Sequence, residues 1–231
     1  MIQAVLFDFN GVLVNDEPQH CEALRRVLAA EGIALTREDY YAHYLGLDDR
    51  SGFVEAYRRA QRTLTTELLK YLVDTKSTIY LELVQSSLQL VPGAREFVRD
   101  AARHFRLGIV SGALRREIDT LLAHTDLAPH FEVIVAAGDV PHSKPNPASY
   151  LAALQAFGRR PPPASPGPAP IAAGSCVVIE DSVPGLEAAR AAGMPCIVLT
   201  TSHPGQHLEG RGAALVWESL AGHTARELAA L

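Results

Sequence analysis

From residue 91 onward the chain alternates between short apolar runs and segments with helical periodicity. Alternation of this kind is typical of an open parallel sheet whose consecutive strands are joined by helices. A first apolar run lies far upstream, at Ala4–Phe7, and contains no polar residue, as is typical of a strand buried on both faces. The sequence therefore predicts an α/β fold with an open parallel, Rossmann-like sheet. The other predicted strands are residues 107–110, 133–136, 176–179 and 196–199, with a short one near Ala214.

The segment between the first strand and residue 91 has a different pattern. Apolar residues recur there at intervals of three and four, for example at Cys21, Leu24 and Leu28, which is the spacing of one helix face. This pattern predicts an all-helical domain inserted after the first strand. The predicted domains are an α/β core of residues 1–15 and 91–231, a helical insertion of residues 16–90, and a proline-rich surface loop of residues 159–174 within the core.

Charge and composition exclude several classes of protein. The net charge is −5 and basic residues form no cluster, which argues against a nucleic-acid partner. No apolar run reaches the roughly 18 residues that a membrane helix needs, so no membrane span is predicted. Cys21, Cys176 and Cys196 lack the paired spacing of a zinc site or a disulfide framework. With no leader pattern at the N-terminus, the predicted location is the cytoplasm.

Polar residues follow the carboxyl ends of four predicted strands, where open parallel sheets bind their ligands. Each group alone has an ordinary explanation as a helix cap or a turn. Considered together, they contain the parts that phosphoryl transfer requires, which are a nucleophile, ligands for a divalent cation and donors to the phosphoryl oxygens. The groups are Asp8-Phe9-Asn10-Gly11, Ser111-Gly112, Ser143-Lys144 and Glu180-Asp181-Ser182.

The residue types assign these parts as follows. Mg²⁺ prefers hard oxygen ligands, which Asp8, Asp181 and a backbone carbonyl near Asn10 can supply. Glu180 is either a further ligand or a group that orients one. A lysine beside the nucleophile neutralises the charge between phosphate and carboxylate, and a serine with nearby amides binds a phosphoryl oxygen. Lys144 and Ser111 are the residues of these types.

The four groups resemble, in order, the four motifs of the haloacid dehalogenase superfamily. The stretches are DFNGVLV at 8–14, VSG at 110–112, KPNP at 144–147 and VIEDSVPG at 178–185. The resemblance implies a helical cap after the first motif, Mg²⁺ as cofactor, and an aspartyl-phosphate formed on Asp8. It also implies these site residues: Asp8, Asn10, Ser111 and Lys144 for catalysis, Ser111, Gly112 and Lys144 for the phosphoryl group, and Asp8, Asn10, Glu180 and Asp181 for the metal.

Three shorter stretches resemble, more narrowly, the group of β-phosphoglucomutases and phosphoglycolate phosphatases. They are NDEPQH at 15–20, GLDDR at 46–50 and VPGA at 91–94. This narrower resemblance implies a small phosphorylated metabolite, such as a sugar phosphate, as the substrate. It implies that Arg50 and His20, from the cap, contact that substrate.

Asn10 departs from the pattern of related phosphatases and phosphomutases, which carry aspartate at this position. That aspartate protonates the leaving group and later activates water, which an amide cannot do. Three explanations are open. Asn10 marks a different reaction or a slow one, another group such as His20 or Glu17 supplies the proton, or the Asn10-Gly11 pair deamidates to give an acid in place.

The leading functional prediction is a magnesium-dependent phosphatase whose turnover is impaired by Asn10. The nearest alternative is a phosphomutase similar to β-phosphoglucomutase. An alternative of another kind is a non-catalytic or regulatory protein that retains the fold and the metal site. A dehalogenase is a lesser alternative, because Glu180-Asp181 retains the metal motif of the phosphoryl-transfer branch.

Overall fold

The computed structural model describes residues 1–85, 87–159, 170–202 and 210–231. The chain divides into two compact units, one formed by Met1–Asn15 with Leu90–Leu231 and the other by Asp16–Gln89. The second unit therefore interrupts the first shortly after its first strand.

The boundary falls one residue earlier than the sequence predicts. Leu90 forms an antiparallel bridge with Val14, and the Val91 N–H donates a hydrogen bond to the Leu13 carbonyl at 3.0 Å. These backbone contacts place the returning chain beside the outgoing one, so Leu90 belongs to the α/β unit.

The inserted unit is helical throughout its described residues. The Thr36 hydroxyl accepts from the Asp39 N–H at 3.0 Å and the Asp48 carboxylate accepts from the Ser51 N–H at 2.9 Å, so two of the helices begin at side-chain caps. The predicted helical insertion is confirmed. Its helices are α1 (Glu17–Ala30), α2 (Arg37–His43), α3 (Asp49–Arg59) and α4 (Thr66–Gln85).

The other unit contains a sheet of six strands that all pair in parallel, which confirms the predicted fold class. The spatial order β3-β2-β1-β4-β5-β6 reverses direction between β1 and β4, and open α/β sheets bind ligands at such a point. The strands are β1 (Ala4–Phe7), β2 (Arg106–Leu114), β3 (Phe131–Ala137), β4 (Cys176–Glu180), β5 (Cys196–Leu199) and β6 (Leu215–Trp217).

Helices cover both faces of this sheet. Leu6 packs into a core cluster with Phe157 and Leu186, whereas the Phe7 ring makes edge contacts with Phe97 and Phe131. Successive residues of a strand point to opposite faces, so the two clusters lie on opposite sides of β1. The helices are α5 (Ala94–Ala101), α6 (Arg115–Ala123), α7 (Ala148–Arg159), α8 (Val183–Ala191) and α9 (Ala225–Leu228).

Strand β2 runs four residues beyond its predicted end at Val110. Its pairing with β3 shifts register between Val110 and Leu114, so the ladder bulges there. The Ser111 hydroxyl accepts the Ala113 N–H at 3.1 Å, which satisfies that donor inside the bulge. The extended backbone therefore carries Ser111 past the last regular strand pair.

Two further predictions concern the rest of the chain. Most of the predicted surface loop, 159–174, falls on residues 160–169, which lie outside the described residues. Within the four described ranges, every helix is too short or too polar to cross a membrane.

Candidate active site

Lys144 joins the carboxyl ends of three neighbouring strands. Its Nζ donates hydrogen bonds to Asp8 Oδ1 at 2.9 Å, to Glu180 Oε1 at 2.6 Å and to the Val110 carbonyl at 2.9 Å. Asp8 itself is fixed next to β4, because its N–H donates to the Ile179 carbonyl at 2.9 Å. The lysine and both carboxylates are therefore held together at the point where the strand order reverses.

The three charges shift one another's protonation. Burial raises the pKa of Asp8 to about 6, Lys144 opposes the rise and Glu180 adds to it. Burial also disfavours the Lys144 ammonium, but Asp8 and Glu180 outweigh that effect and raise its pKa. Burial raises the pKa of Glu180, but Lys144 and the hydroxyls of Tyr150 and Ser182 outweigh it and lower the pKa. Glu180 and Lys144 therefore form a charged pair.

Glu180 is fully buried and accepts five hydrogen bonds from described residues. Lys144 and the Tyr150 hydroxyl, at 2.9 Å, donate to Oε1. The N–H groups of Asp181 and Ser182 and the Ser182 hydroxyl donate to Oε2, at 3.0, 3.1 and 2.9 Å. Since a carboxylate offers about four lone-pair sites, its accepting capacity is used by the protein.

The start of α8 explains why Glu180 fits there. Ser182 is the N-cap residue, and its hydroxyl accepts the Gly185 N–H at 3.1 Å. A β-carbon on Gly185 would lie 1.9 Å from Glu180 Oε1, which is far inside any allowed contact. The helix-cap interpretation of Ser182 is therefore correct, and the same cap holds the carboxylate.

Asp181 packs against the loop that follows β1. A β-carbon on Gly11 would lie 1.9 Å from Asp181 Oδ2 and 2.6 Å from Ser202 Oγ. Gly11 also has a positive φ of 73°, a conformation that glycine adopts readily and other residues rarely do. The Ser202 hydroxyl donates a hydrogen bond to Asp181 Oδ2. A side chain at residue 11 would therefore displace Asp181.

Gly11→Ala is expected to weaken divalent-cation binding by roughly tenfold or more, because it moves a predicted ligand, Asp181, by displacing its carboxylate. Gly138→Ala is the matched control, since Gly138 also has a positive φ, 89°, but meets nothing within 4 Å. Both variants share the backbone cost of about 1–2 kcal/mol. Mn²⁺ titration of both should show the loss only in Gly11→Ala, and equal losses would contradict the steric argument.

Ser111 and Asn10 face each other at the same edge. Ser111 Oγ lies 3.5 Å from Asn10 Oδ1, and the Ser111 side chain is buried while Gly112 is exposed. The predicted phosphoryl-binding group therefore lies next to the predicted departure from the family pattern. Both follow strands that flank each other in the sheet.

Three acidic residues at this edge fit a divalent cation. Asp8, Glu180 and Asp181 each offer a carboxylate oxygen, and these atoms lie within 4.8 Å of one another. Oxygen donors in a cluster of excess negative charge are the donor set that Mg²⁺ prefers. The residues predicted for the metal are thus brought together, with Glu180 already occupied by donors from the protein.

His20 and Arg50 lie in the helical unit. Lys76, a residue that the sequence interpretation did not single out, is 2% exposed, and its Nζ donates to His20 Nδ1 at 2.5 Å and pairs with Asp49 Oδ1 at 2.6 Å. His20 Nε2 faces Asp16 Oδ2 at 3.5 Å. Burial and Lys76 lower the pKa of His20, but Asp16 and Glu17 outweigh them and raise it. Arg50, on α3, is exposed.

The sequence contains a signal for Lys76. It stands on the buried face of α4 with Leu69, Leu72, Val73 and Tyr80, at helical spacing, so an ionisable group interrupts an apolar stripe. Tyr150 and Ser202 carry no comparable signal, because a buried tyrosine and a loop serine are common in any sequence.

The fold and the site define a class: an α/β enzyme with an aspartate, a lysine and an acidic pair at the switch point of its sheet. A family model described as haloacid dehalogenase-like hydrolase matches residues 2–193. The chain therefore belongs to the haloacid dehalogenase-like hydrolases, and the prediction of a phosphatase-type enzyme of this family is confirmed.

Several relatives are similar over most of their length. Protein CbbY of Rhodobacter capsulatus is 32% identical over 87% of this chain and 86% of that protein. A phosphorylated carbohydrates phosphatase of Thermotoga maritima is 31% identical over 92% of each chain. The crystal structure of CbbY from Rhodobacter sphaeroides in complex with phosphate is 26% identical, covers 96% of each chain and has a TM-score of 0.80.

Proposed function

We propose that the protein is a magnesium-dependent phosphatase of small phosphorylated carbohydrates that acts through an aspartyl-phosphate on Asp8. One observation carries the proposal. The Asp8 carboxylate lies 2.9 Å from the Lys144 ammonium and within 4.8 Å of the oxygens of the acidic pair Glu180 and Asp181. A nucleophilic carboxylate between a fixed cation and a cluster of oxygen ligands suits attack on a phosphorus atom.

The protein's own residues have distinct roles in this reaction. Asp8 forms a bond to phosphorus while the bond from phosphorus to the leaving oxygen breaks. Lys144 offsets the negative charge of phosphate and nucleophile, and its second contact, with Glu180, keeps the ammonium in place. Ser111, with nearby backbone N–H groups, donates to a phosphoryl oxygen.

Asp8, Asp181 and the backbone carbonyl of Asn10 are the proposed Mg²⁺ ligands. The metal, when bound, supplies positive charge that offsets the charge of the transferring phosphoryl group. The five donors to Glu180 support an orienting role for that residue, since it holds Lys144 and the turn that carries Asp181.

Asn10 limits the proposed turnover. An amide can donate a hydrogen bond to the leaving oxygen but cannot transfer a proton to it or remove one from water. General acid-base catalysis contributes about 10²–10⁴-fold, so hydrolysis of an ordinary phosphate ester is expected to be slow. A substrate whose leaving group departs without a proton, such as an acyl phosphate, loses less.

The substrate class is supported by the names of relatives. Besides the carbohydrate phosphatase of Thermotoga maritima, a mutant CbbY of Rhodobacter sphaeroides, 26% identical, was crystallised with xylulose-1,5-bisphosphate. We accordingly propose a sugar phosphate or sugar bisphosphate as the substrate. The cap role of the helical unit, substrate contacts by His20 and Arg50, and a cytoplasmic location remain predictions.

Phosphate release from a panel of sugar phosphates is expected to stop when a chelator removes divalent cations and to resume when Mg²⁺ is added. The acidic cluster at Asp8 needs a cation before a dianionic phosphate can approach it. A colorimetric phosphate assay checks this result. Turnover that is unaffected by the chelator would contradict the proposal.

Asn10 also favours a second function, a regulatory protein that binds phosphorylated ligands without turnover. Ligand binding measured by calorimetry, with no phosphate release and no phosphoenzyme, would favour it. In the same assays, conversion of a sugar 1-phosphate to the 6-phosphate would indicate a phosphomutase, and release of halide would indicate a dehalogenase.

A further inference from the structure

The loop after β5 contacts two other loops of the candidate site. The Thr201 hydroxyl donates a hydrogen bond to the Gly11 carbonyl at 2.5 Å, and the Ser202 hydroxyl donates to Asp181 Oδ2. Gly11 follows β1 and Asp181 follows β4, so two adjacent hydroxyl groups connect the ends of three strands. None of the four motifs that identify the family includes Thr201 or Ser202.

The packing around Ser202 leaves little freedom. A β-carbon on Gly11 would lie 2.6 Å from Ser202 Oγ and 1.9 Å from Asp181 Oδ2, so the hydroxyl and the carboxylate fill the space that a larger residue 11 would need. Asp181 is 5% exposed and Ser202 is half-buried. A buried carboxylate with a fixed donor on one oxygen is held in one rotamer and one plane.

We propose that Ser202 is a positioning residue for the metal site, acting through Asp181. The inference deepens the proposed function and rests on it, because it assumes that Asp181 is a ligand of the divalent cation. Hydrogen bonds to metal-binding carboxylates orient them, and loss of such a partner typically weakens metal binding by about 10–100-fold. Thr201 supports the same arrangement from the other side, by fixing the backbone that directly follows Asn10.

The test is calorimetric titration of metal-free protein with Mn²⁺, without substrate. Ser202→Ala is expected to weaken Mn²⁺ binding by about 10-fold or more. Ser202→Thr, which keeps the hydroxyl, is expected to restore affinity close to that of the parent. Ser202→Cys, which keeps the shape but offers a weak donor, is expected to weaken binding in the same direction as Ser202→Ala.

Ser219→Ala is the matched control, since Ser219 is a half-buried serine that follows β6 and accepts only the Ala221 N–H among its printed partners. It should bind Mn²⁺ like the parent. Thermal unfolding in chelator should be the same for parent and variants, which excludes a folding defect. Parental affinity in Ser202→Ala would overturn the positioning role alone, whereas failure of the parent to bind Mn²⁺ would overturn the proposed metal site as well.

Discussion

Asp8→Asn is expected to reduce phosphate release by about 10⁴-fold or more, because the amide cannot form the covalent intermediate. The substitution keeps the shape of the side chain, and Lys144 retains its contact with Glu180 at 2.6 Å. The variant should therefore fold like the parent. Continuous phosphate assays measure the rate, and intact mass spectrometry after an acid quench detects the phosphoenzyme.

Asp139→Asn is a suitable control for the loss of one carboxylate. Asp139 lies in the loop after β3 and accepts the Ala136 N–H at 2.9 Å, a bond that an asparagine oxygen can also accept. Its turnover should equal that of the parent. A phosphorylated adduct that persists in Asp8→Asn would place the nucleophile elsewhere.

Asn10→Asp is expected to raise kcat on sugar phosphates by about 10²–10⁴-fold, since it restores a group able to give and take a proton beside the nucleophile. In the parent, a substrate with a good leaving group should phosphorylate Asp8 faster than water releases the phosphate. The acid quench should therefore find more phosphoenzyme in the parent than in the variant. Unchanged kcat would mean that another residue already moves the proton.

Two controls make this result specific. Asn146→Asp adds the same charge in the loop that carries Lys144, but its oxygen accepts the Ala148 N–H at the start of α7, so no increase is expected. Peptide mass spectrometry of the parent should find Asn10 intact. Deamidation requires attack by the Gly11 nitrogen on the side-chain amide, and the Gly11 N–H donates to the Val14 carbonyl at 2.7 Å, which holds that nitrogen in the turn.

The sequence predicts the sheet and the main site residues because the relevant information is local. Ala4–Phe7 is apolar throughout and Asp8 follows it directly, so the strand and the residue at its end are both visible in one short stretch. Parallel pairing then brings the carboxyl ends of the strands to one edge, where Lys144 meets Asp8 and Glu180.

The supporting contacts are not local, and the sequence does not predict them. Tyr150 and Glu180 are 30 residues apart, Ser202 and Asp181 are 21 apart, and Lys76 and His20 are 56 apart. Each pair forms because two elements pack together, and which hydroxyl or amine faces which acceptor depends on the register of that packing. The extension of β2 past Val110 likewise depends on a bulge against β3.

The buried charge pair of Lys144 and Glu180 affects how sequence variation in such chains should be interpreted. Removing either partner leaves the other charge buried without compensation, at a cost of about 3–5 kcal/mol. Domains have only about 5–15 kcal/mol of total stability, so natural selection for folding alone would preserve both residues. Retention of this pair in descendants is evidence that the protein still folds, whereas Asn10, whose replacement costs the fold little, records what selection has required of the chemistry.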